Sequence, residues 1–136
     1  MAKKHGKDSV LTYAGQELTT FLTDISEDLT RDVADTTAMG QDAKTNVTGT
    51  YGGTLNLSGW WDPTDTTGPH DVLSTALLAG TYATADYGPH GDGTGAVKLS
   101  GSFAVTSYAT TSPVEDTVAF TATLTLSGAL TPGTYA

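Results

Sequence analysis

The chain has 136 residues, enough for one domain with a modest core and too few for a second. Six Lys and Arg against fifteen Asp and Glu leave a formal charge of −9, which excludes a module that grips duplex nucleic acid through a concentrated basic surface. The absence of cysteine excludes a disulfide framework, a thiolate zinc site and a cysteine nucleophile.

Met1-Ala2-Lys3-Lys4-His5-Gly6-Lys7 opens basic but has no apolar run behind it, so it is not a signal peptide. Residues 1–8 read as a flexible arm ahead of a single domain over 9–136. Segments 9–13 and 16–23 read as strands joined by a turn at Ala14-Gly15, and 29–37 as a weaker strand with Leu29 and Val33 in phase among charges. Segment 36–45 has no period. From 47 to 61, Val47, Tyr51, Leu55, Leu57 and Trp61 fall in phase, with Gly49, Gly52, Gly53 and Gly59 marking a bulge or bend.

One helix is expected over 70–80. Pro69-His70-Asp71 introduces the stripe Val72, Leu73, Ala76 and Leu77, Gly80 closes it, and His70 or Asp71 is the expected N-cap. So short a helix must pack on a sheet to persist. Segment 87–95 reads as a glycine-rich loop. The strongest alternation comes last, in a long hairpin over 97–128. Val97, Leu99, Phe103 and Val105 oppose Lys98, Ser100, Ser102 and Thr106; after Ser112-Pro113, Val118, Phe120, Ala122, Leu124 and Leu126 oppose Thr117, Thr121, Thr123 and Thr125. Threonine fills about a fifth of the chain and charged residues only 15%, so hydroxyls cover much of the polar surface.

No catalytic constellation emerges. His5, His70 and His90 share no element and offer no zinc-ligand spacing. Asp86, His90 and Asp92 surround the glycine loop, but the pattern is neither an EF-hand nor a calcium-binding nonapeptide repeat, and a mobile surface loop fits better. Gly91-Asp92-Gly93-Thr94-Gly95 lacks the Gly-Lys-Ser/Thr ending of a phosphate loop, and no serine sits in a Gly-x-Ser-x-Gly elbow. Glu27-Asp28 and Glu115-Asp116 are adjacent pairs that a strand points to opposite faces. No enzyme activity, cofactor or metal is expected.

The linear arrangement of motifs nevertheless resembles a family. Asp32-Val33-Ala34-Asp35-Thr36-Thr37-Ala38-Met39-Gly40 leads through a loop into Gly53-Thr54-Leu55-Asn56-Leu57-Ser58-Gly59-Trp60-Trp61-Asp62, and Val114-Glu115-Asp116-Thr117-Val118-Ala119-Phe120-Thr121-Ala122-Thr123 follows late in the chain. With the short helix between them, these segments resemble the major tail tube proteins of long-tailed, non-contractile bacteriophages from about residue 9 onward. The resemblance implies a mainly β, sandwich- or barrel-like domain with one flanking helix. It also implies hexameric rings whose long strands join into a ring-wide β-barrel, stacked into a hollow tube in the virion. The implied partners are further copies of the chain, a tape measure protein, and tail tip and terminator proteins. The resemblance further implies that DNA passes through the lumen without specific binding and that no membrane is involved.

Charge placement agrees with such a conduit. Residues 1–44 carry five basic and eight acidic side chains, whereas 45–136 carry Lys98 alone against seven acidic ones. Lys98, Ser100, Ser102, Thr121 and Thr123 are the expected lumen-facing residues, with Lys98 the exception to explain. Segment 24–47, which sets Asp24, Glu27, Asp28, Asp32, Asp35 and Asp42 against Arg31 and Lys44, is expected to reach neighbouring subunits and the next ring, ordering on assembly. Arg31, Asp32, Asp35, Met39, Asp42 and Lys44 are its expected contacts. Two other readings stand: a β-sandwich adhesin or capsid decoration module using Trp60 or Trp61 as a glycan platform, and a type VI-like secretion tube protein.

Overall fold

A computed structural model of the chain describes residues 6–64, 68–89, 91 and 93–135. The expected mainly β fold with one flanking helix is present: β1 (Val10–Tyr13), β2 (Gln16–Glu17), β3 (Leu22–Asp35), β4 (Asn46–Trp60), α1 (Pro69–Ala79), β5 (Tyr82–Gly88), β6 (Val97–Thr111) and β7 (Ala119–Thr134). The seven strands form one antiparallel sheet in the order β2-β1-β5-β6-β7-β4-β3. Its two ends come back together over the core. Tyr87 on β5 lies within electrostatic reach of Glu27 and Asp24 on β3, and a cleft of about 430 Å3 at the start of β3 is lined by Lys7, Ser9, Thr19 and 22–25.

The core occupies the inside of this curl. β7 supplies Phe120, Ala122 and Leu124, β6 Phe103 and Val105, β4 Leu55 and Leu57, β5 Ala85, β1 Leu11 and Tyr13, and α1 Leu73. Each pair of neighbours is spaced by two, as a strand with one buried face requires. Tyr13 is fully buried and donates its hydroxyl to the Phe103 carbonyl at 3.1 Å, tying β1 to β6 across β5; burial pushes its phenol pKa up.

The helix is held by an aromatic stack. Trp61, His70, Tyr108 and Phe120 lie in sequence with ring centroids 5.2, 5.9 and 5.8 Å apart, and the Tyr108 hydroxyl is 3.1 Å from His70 Nδ1. The N-cap is Gly68 rather than His70 or Asp71. Pro69 occupies the first helical turn, where its missing N–H costs nothing, and a Cβ on Gly68 would collide with the carbonyls of Asp62 and Thr64 at 2.8 Å. Gly80 closes the helix in the left-handed conformation as expected.

Other sequence expectations change as well. The segment 16–23 is not one strand: β2 ends at Glu17, a 3-10 turn over Thr19–Phe21 follows, and β3 starts at Leu22. The turn exists because Leu18 is driven into the core and the Thr19 hydroxyl accepts the Leu11 N–H at 3.0 Å. The weak strand at 29–37 is the outer half of the 14-residue β3. A further strand, β5, follows the helix and takes Tyr87 and Gly88 from the segment read as a glycine-rich loop, its inward residues being Ala83, Ala85 and Tyr87. Gly6–Asp8 forms a 3-10 turn; His5, His90 and Asp92 lie outside the described residues.

The tightest backbone approach is at Gly59, where a Cβ would meet the Phe21 carbonyl oxygen at 2.2 Å. Replacing Gly59 by Ala is therefore expected to part β3 from β4 and cost about 2 kcal/mol or more, read as a lower midpoint in urea unfolding.

Candidate assembly surfaces

Two surfaces are left once the core is built. The first is the non-core face of the sheet. Strand alternation fixes what it contains: Thr54, Asn56 and Ser58 on β4 sit beside Thr125, Thr123 and Thr121 on β7, which in turn sit beside Ala104, Ser107 and Ala109 on β6. Farther along, Ser102 pairs with Ser127 and Ser100 with Thr131. The hydroxyls bond one another across strands: Thr123 to Asn56 Oδ1 at 3.1 Å, and Thr106 with Thr125 at 3.0 Å. On β5, Asp86 opposes Ser100 and accepts its hydroxyl hydrogen.

Lys98, Ser100, Ser102, Thr121 and Thr123 all lie on this one face. Bulges in the β6–β7 ladder, between Ser100 and Ser102 and again between Val105 and Ser107, shift the register, and after the second Tyr108 turns inward onto Phe120. The exposed Trp60 sits at one end of the face, while Trp61, past the strand end, is half-buried against His70.

The second surface is a two-stranded arm. β4 pairs with β7 only from Thr54 to Trp60, so the outer halves of β3 and β4 run on without a third strand, and every residue over 28–51 is exposed. A register irregularity between Arg31 and Val33 flips Val47 to the face opposite Tyr51, so the two are not in phase as the spacing implied. The face that continues from the core carries Leu29, Arg31, Val33 and Tyr51; the other carries Asp28, Thr30 and Asp32. Arg31 stiffens its own arm: its Nη1 donates to the Gly49 carbonyl at 3.0 Å and its guanidinium lies 4.9 Å over the Tyr51 ring. The Tyr51 hydroxyl in turn accepts the Leu130 N–H of β7 at 3.1 Å, anchoring the arm where β4 and β7 diverge.

The arm's tip is closed by threonines. Thr36 N–H donates to the Thr45 carbonyl at 2.9 Å, Thr45 N–H to the Thr37 hydroxyl at 2.8 Å, and Thr37 N–H to Asp35 Oδ1 at 2.9 Å. Gly40 takes a positive φ of 86° at the turn. Met39 is fully exposed there, with Asp42 and Lys44 beside it. Hydrogen bonds from Thr37 hold the Asp35 carboxyl below the ordinary carboxylate range.

Glu27 is the misfit. It shares the inward face with Ile25, while its neighbour Asp28 points out, as adjacent strand residues must. Burial raises its carboxyl pKa, and its charge, after burial itself, helps raise that of Tyr87 opposite. Among the described residues no group of three His, Asp or Glu side chains converges as a metal site, and no helix is long and apolar enough to cross a membrane.

No family model and no curated protein matches the sequence. Solved structures do match. A chain from the virion of a native gene transfer agent particle superposes with a TM-score of 0.81 at 15% identity, over 96% of this chain and 99% of that one. The chain has the tail tube fold. The SPP1 tail tube matches with a TM-score of 0.76 at 11% identity, covering 97% of this chain and 80% of the other. The tail of an empty gene transfer agent particle, refined with C6 symmetry, matches at 0.77 and 16% identity over 95% and 98%. At these identities the shared property is the fold, and the resemblance drawn from the sequence motifs is met at that level.

Two titrations follow from the carboxylates. Glu27 has a folded-state pKa above its unfolded one, so its charged form opposes folding once pH rises through that value. Glu27→Gln is expected to raise the melting temperature at pH 7, and the gain is expected to vanish below the unfolded carboxylate value near pH 4. For Asp35, whose folded pKa is depressed, the Thr37 amide resonance is expected to titrate with a midpoint below the ordinary Asp value of about 3.9. The turn order it supports is therefore kept above that value and lost only as pH falls through the midpoint.

Proposed function

We propose that this chain is a structural subunit of a phage-type tail tube, closing with five further copies into a ring, with rings stacking into a hollow tube that conducts DNA in the virion. The observation that carries this reading is the division of one sheet into a packed face and a hydroxyl face, with strand lengths that overrun their partners. β6 extends over 105–111 beyond its pairing with β5, and β7 over 126–134 beyond its pairing with β4. Each stretch is paired between β6 and β7 on one edge and open on the other, and open edges of that length are an aggregation hazard in a monomer and a template for pairing in a closed ring. The gene transfer agent tail with C6 symmetry supports the sixfold arrangement, and the SPP1 tail tube, which shares the fold, supports the tube.

In this arrangement the hydroxyl face, including Lys98, Ser100, Ser102, Thr121 and Thr123, lines the lumen. Apart from Lys98, the side chains of this face are short and neutral and offer DNA phosphates no charge to grip, and six copies bring a formal charge of −54 that repels them. The arm, with Arg31, Asp32, Asp35, Met39, Asp42 and Lys44, reaches the next subunit or ring. Its apolar strip of Leu29, Val33 and Tyr51 is solvent-exposed in the single chain and gains cover only from a neighbour. A tape measure protein inside the tube and tail tip and terminator proteins at its ends complete the set of partners.

Concentrated protein is expected to form rings or tubes in negative-stain micrographs. Arg31→Glu, which removes the bond to Gly49 and the contact with Tyr51, and deletion of 38–44 are each expected to stop tube growth with the melting temperature of the body unchanged. Normal tubes from both variants defeat the role of the arm. Cysteines at Thr121 and Thr123 are expected to react with a bulky maleimide-polyethylene glycol in the free chain and to be protected in tubes; equal reactivity in tubes places these positions outside the lumen.

A further inference from the structure

Lys98 is the single basic residue over 45–136, and it lies on the hydroxyl face. Its surroundings are specific. In the ladder it is opposed by Gly133 on β7, and the next position beyond the Tyr87–Leu99 pair on β5 is Gly88, so glycine stands on both sides of it. The Tyr135 ring shares the space over Gly88 with Val10 and the Gly91 carbonyl: a Cβ on Gly88 would meet the Gly91 carbonyl oxygen at 2.7 Å and Tyr135 Cε2 and Val10 Cγ2 at 2.9 Å. That ring is fixed by its backbone. Tyr135 N–H donates to the Ala96 carbonyl at 2.9 Å and the Tyr135 carbonyl accepts the Gly95 N–H at 2.9 Å, extending the β6–β7 pairing past the strand end. The Lys98 ammonium sits 5.2 Å from the ring centroid, and both side chains are half-buried. One row along, Ser100 fixes the Asp86 carboxylate on the same face.

We propose that Tyr135 is a positioning residue for Lys98: seated on Gly88, its ring holds the lysine stem along the sheet and the ammonium against an aromatic face, so that the cation does not extend to meet a polyanion. This rests on the tube reading for its purpose, though not for its geometry. A lysine ammonium attracted to a ring leaves its free, extended form depleted by about twofold at exposed sites and up to about thirtyfold when desolvated. With six such lysines around a lumen the depletion compounds, since each phosphate contact contributes separately to polyanion affinity. Gly88 is part of the device: a side chain there would run into the ring.

The full chain provides the test. Lysines are acylated with a limiting amine-reactive ester and quantified by peptide mass spectrometry, with the arm's Lys44 as internal reference. Tyr135→Ala is expected to raise the Lys98-to-Lys44 ratio at least about twofold, and Tyr135→Phe to leave it at the wild-type value. Tyr135→Leu keeps apolar bulk on Gly88 without a π face and is expected to behave as Tyr135→Ala, which separates loss of the ring from loss of packing. An unchanged ratio in folded Tyr135→Leu overturns the proposal. Pelleted tubes are then mixed with a fluorescent single-stranded oligonucleotide at low salt. Tyr135→Leu tubes are expected to retain several-fold more than wild type, and Lys98→Gln/Tyr135→Leu tubes to return to the wild-type level. Retention that persists in the double variant overturns the assignment to Lys98. Failure of the wild-type chain to form tubes defeats the tube reading instead, while the acylation ratio still decides the contact between the two side chains.

Discussion

Everything in this molecule depends on the two-residue period of β7. That strand lies between β6 and β4, so it has no free edge over its first half, and each of its faces meets a different requirement. Phe120, Ala122 and Leu124 fill the inside of the curl, while Thr121, Thr123 and Thr125 stand on the other face, Thr123 bonded to Asn56 and Thr125 to Thr106. A slip of one residue would exchange the two sets, burying hydroxyls and exposing a leucine and a phenylalanine. The core and the smooth face are therefore one decision, made in a single strand and transmitted to β4 and β6 by register.

How much of this the sequence disclosed varies by element for physical reasons. β7 and the inner half of β4 were legible because their apolar residues are large and their alternates are hydroxyls. β5 was not, because two of its inward residues are Ala83 and Ala85, too small to stand out against Tyr82 and Thr84. Leu18 looked like one more strand residue, yet it is buried through a 3-10 turn that local alternation does not announce. The N-cap lay one residue before Pro69, where the preference of proline for the first helical position could have placed it. The arm residues lie on one exposed two-stranded extension, but the fixing of Arg31 by Gly49 and Tyr51 depends on a register irregularity that no spacing reveals.

The candidate surfaces differ in how they are held. The hydroxyl face is rigid because it is the back of the core. The arm has no core behind it and is kept straight by short-range devices: the Arg31 contacts at mid-length, the Tyr51 anchor to Leu130, and the threonine bonds at the tip. Such exposed hydrogen bonds open with little free energy, so the arm belongs to the low-stability end of the molecule. An element meant to find a neighbour can be adjusted there without disturbing the sheet.

The strand order has a temporal consequence. β7 is the last of the seven strands in the chain, yet it sits in the interior of the sheet, with β6, β5, β1 and β2 on one side and β4 and β3 on the other. During synthesis the β3–β4 hairpin pairs locally within microseconds, and β5 with β6 soon after. Until β7 emerges, however, these two halves share no strand, and Leu55, Leu57, Phe103 and Val105 have no common core to enter. A nascent chain is thus held in two unjoined pieces, and its overrunning edges acquire their native spacing only when synthesis has reached the strand that joins them.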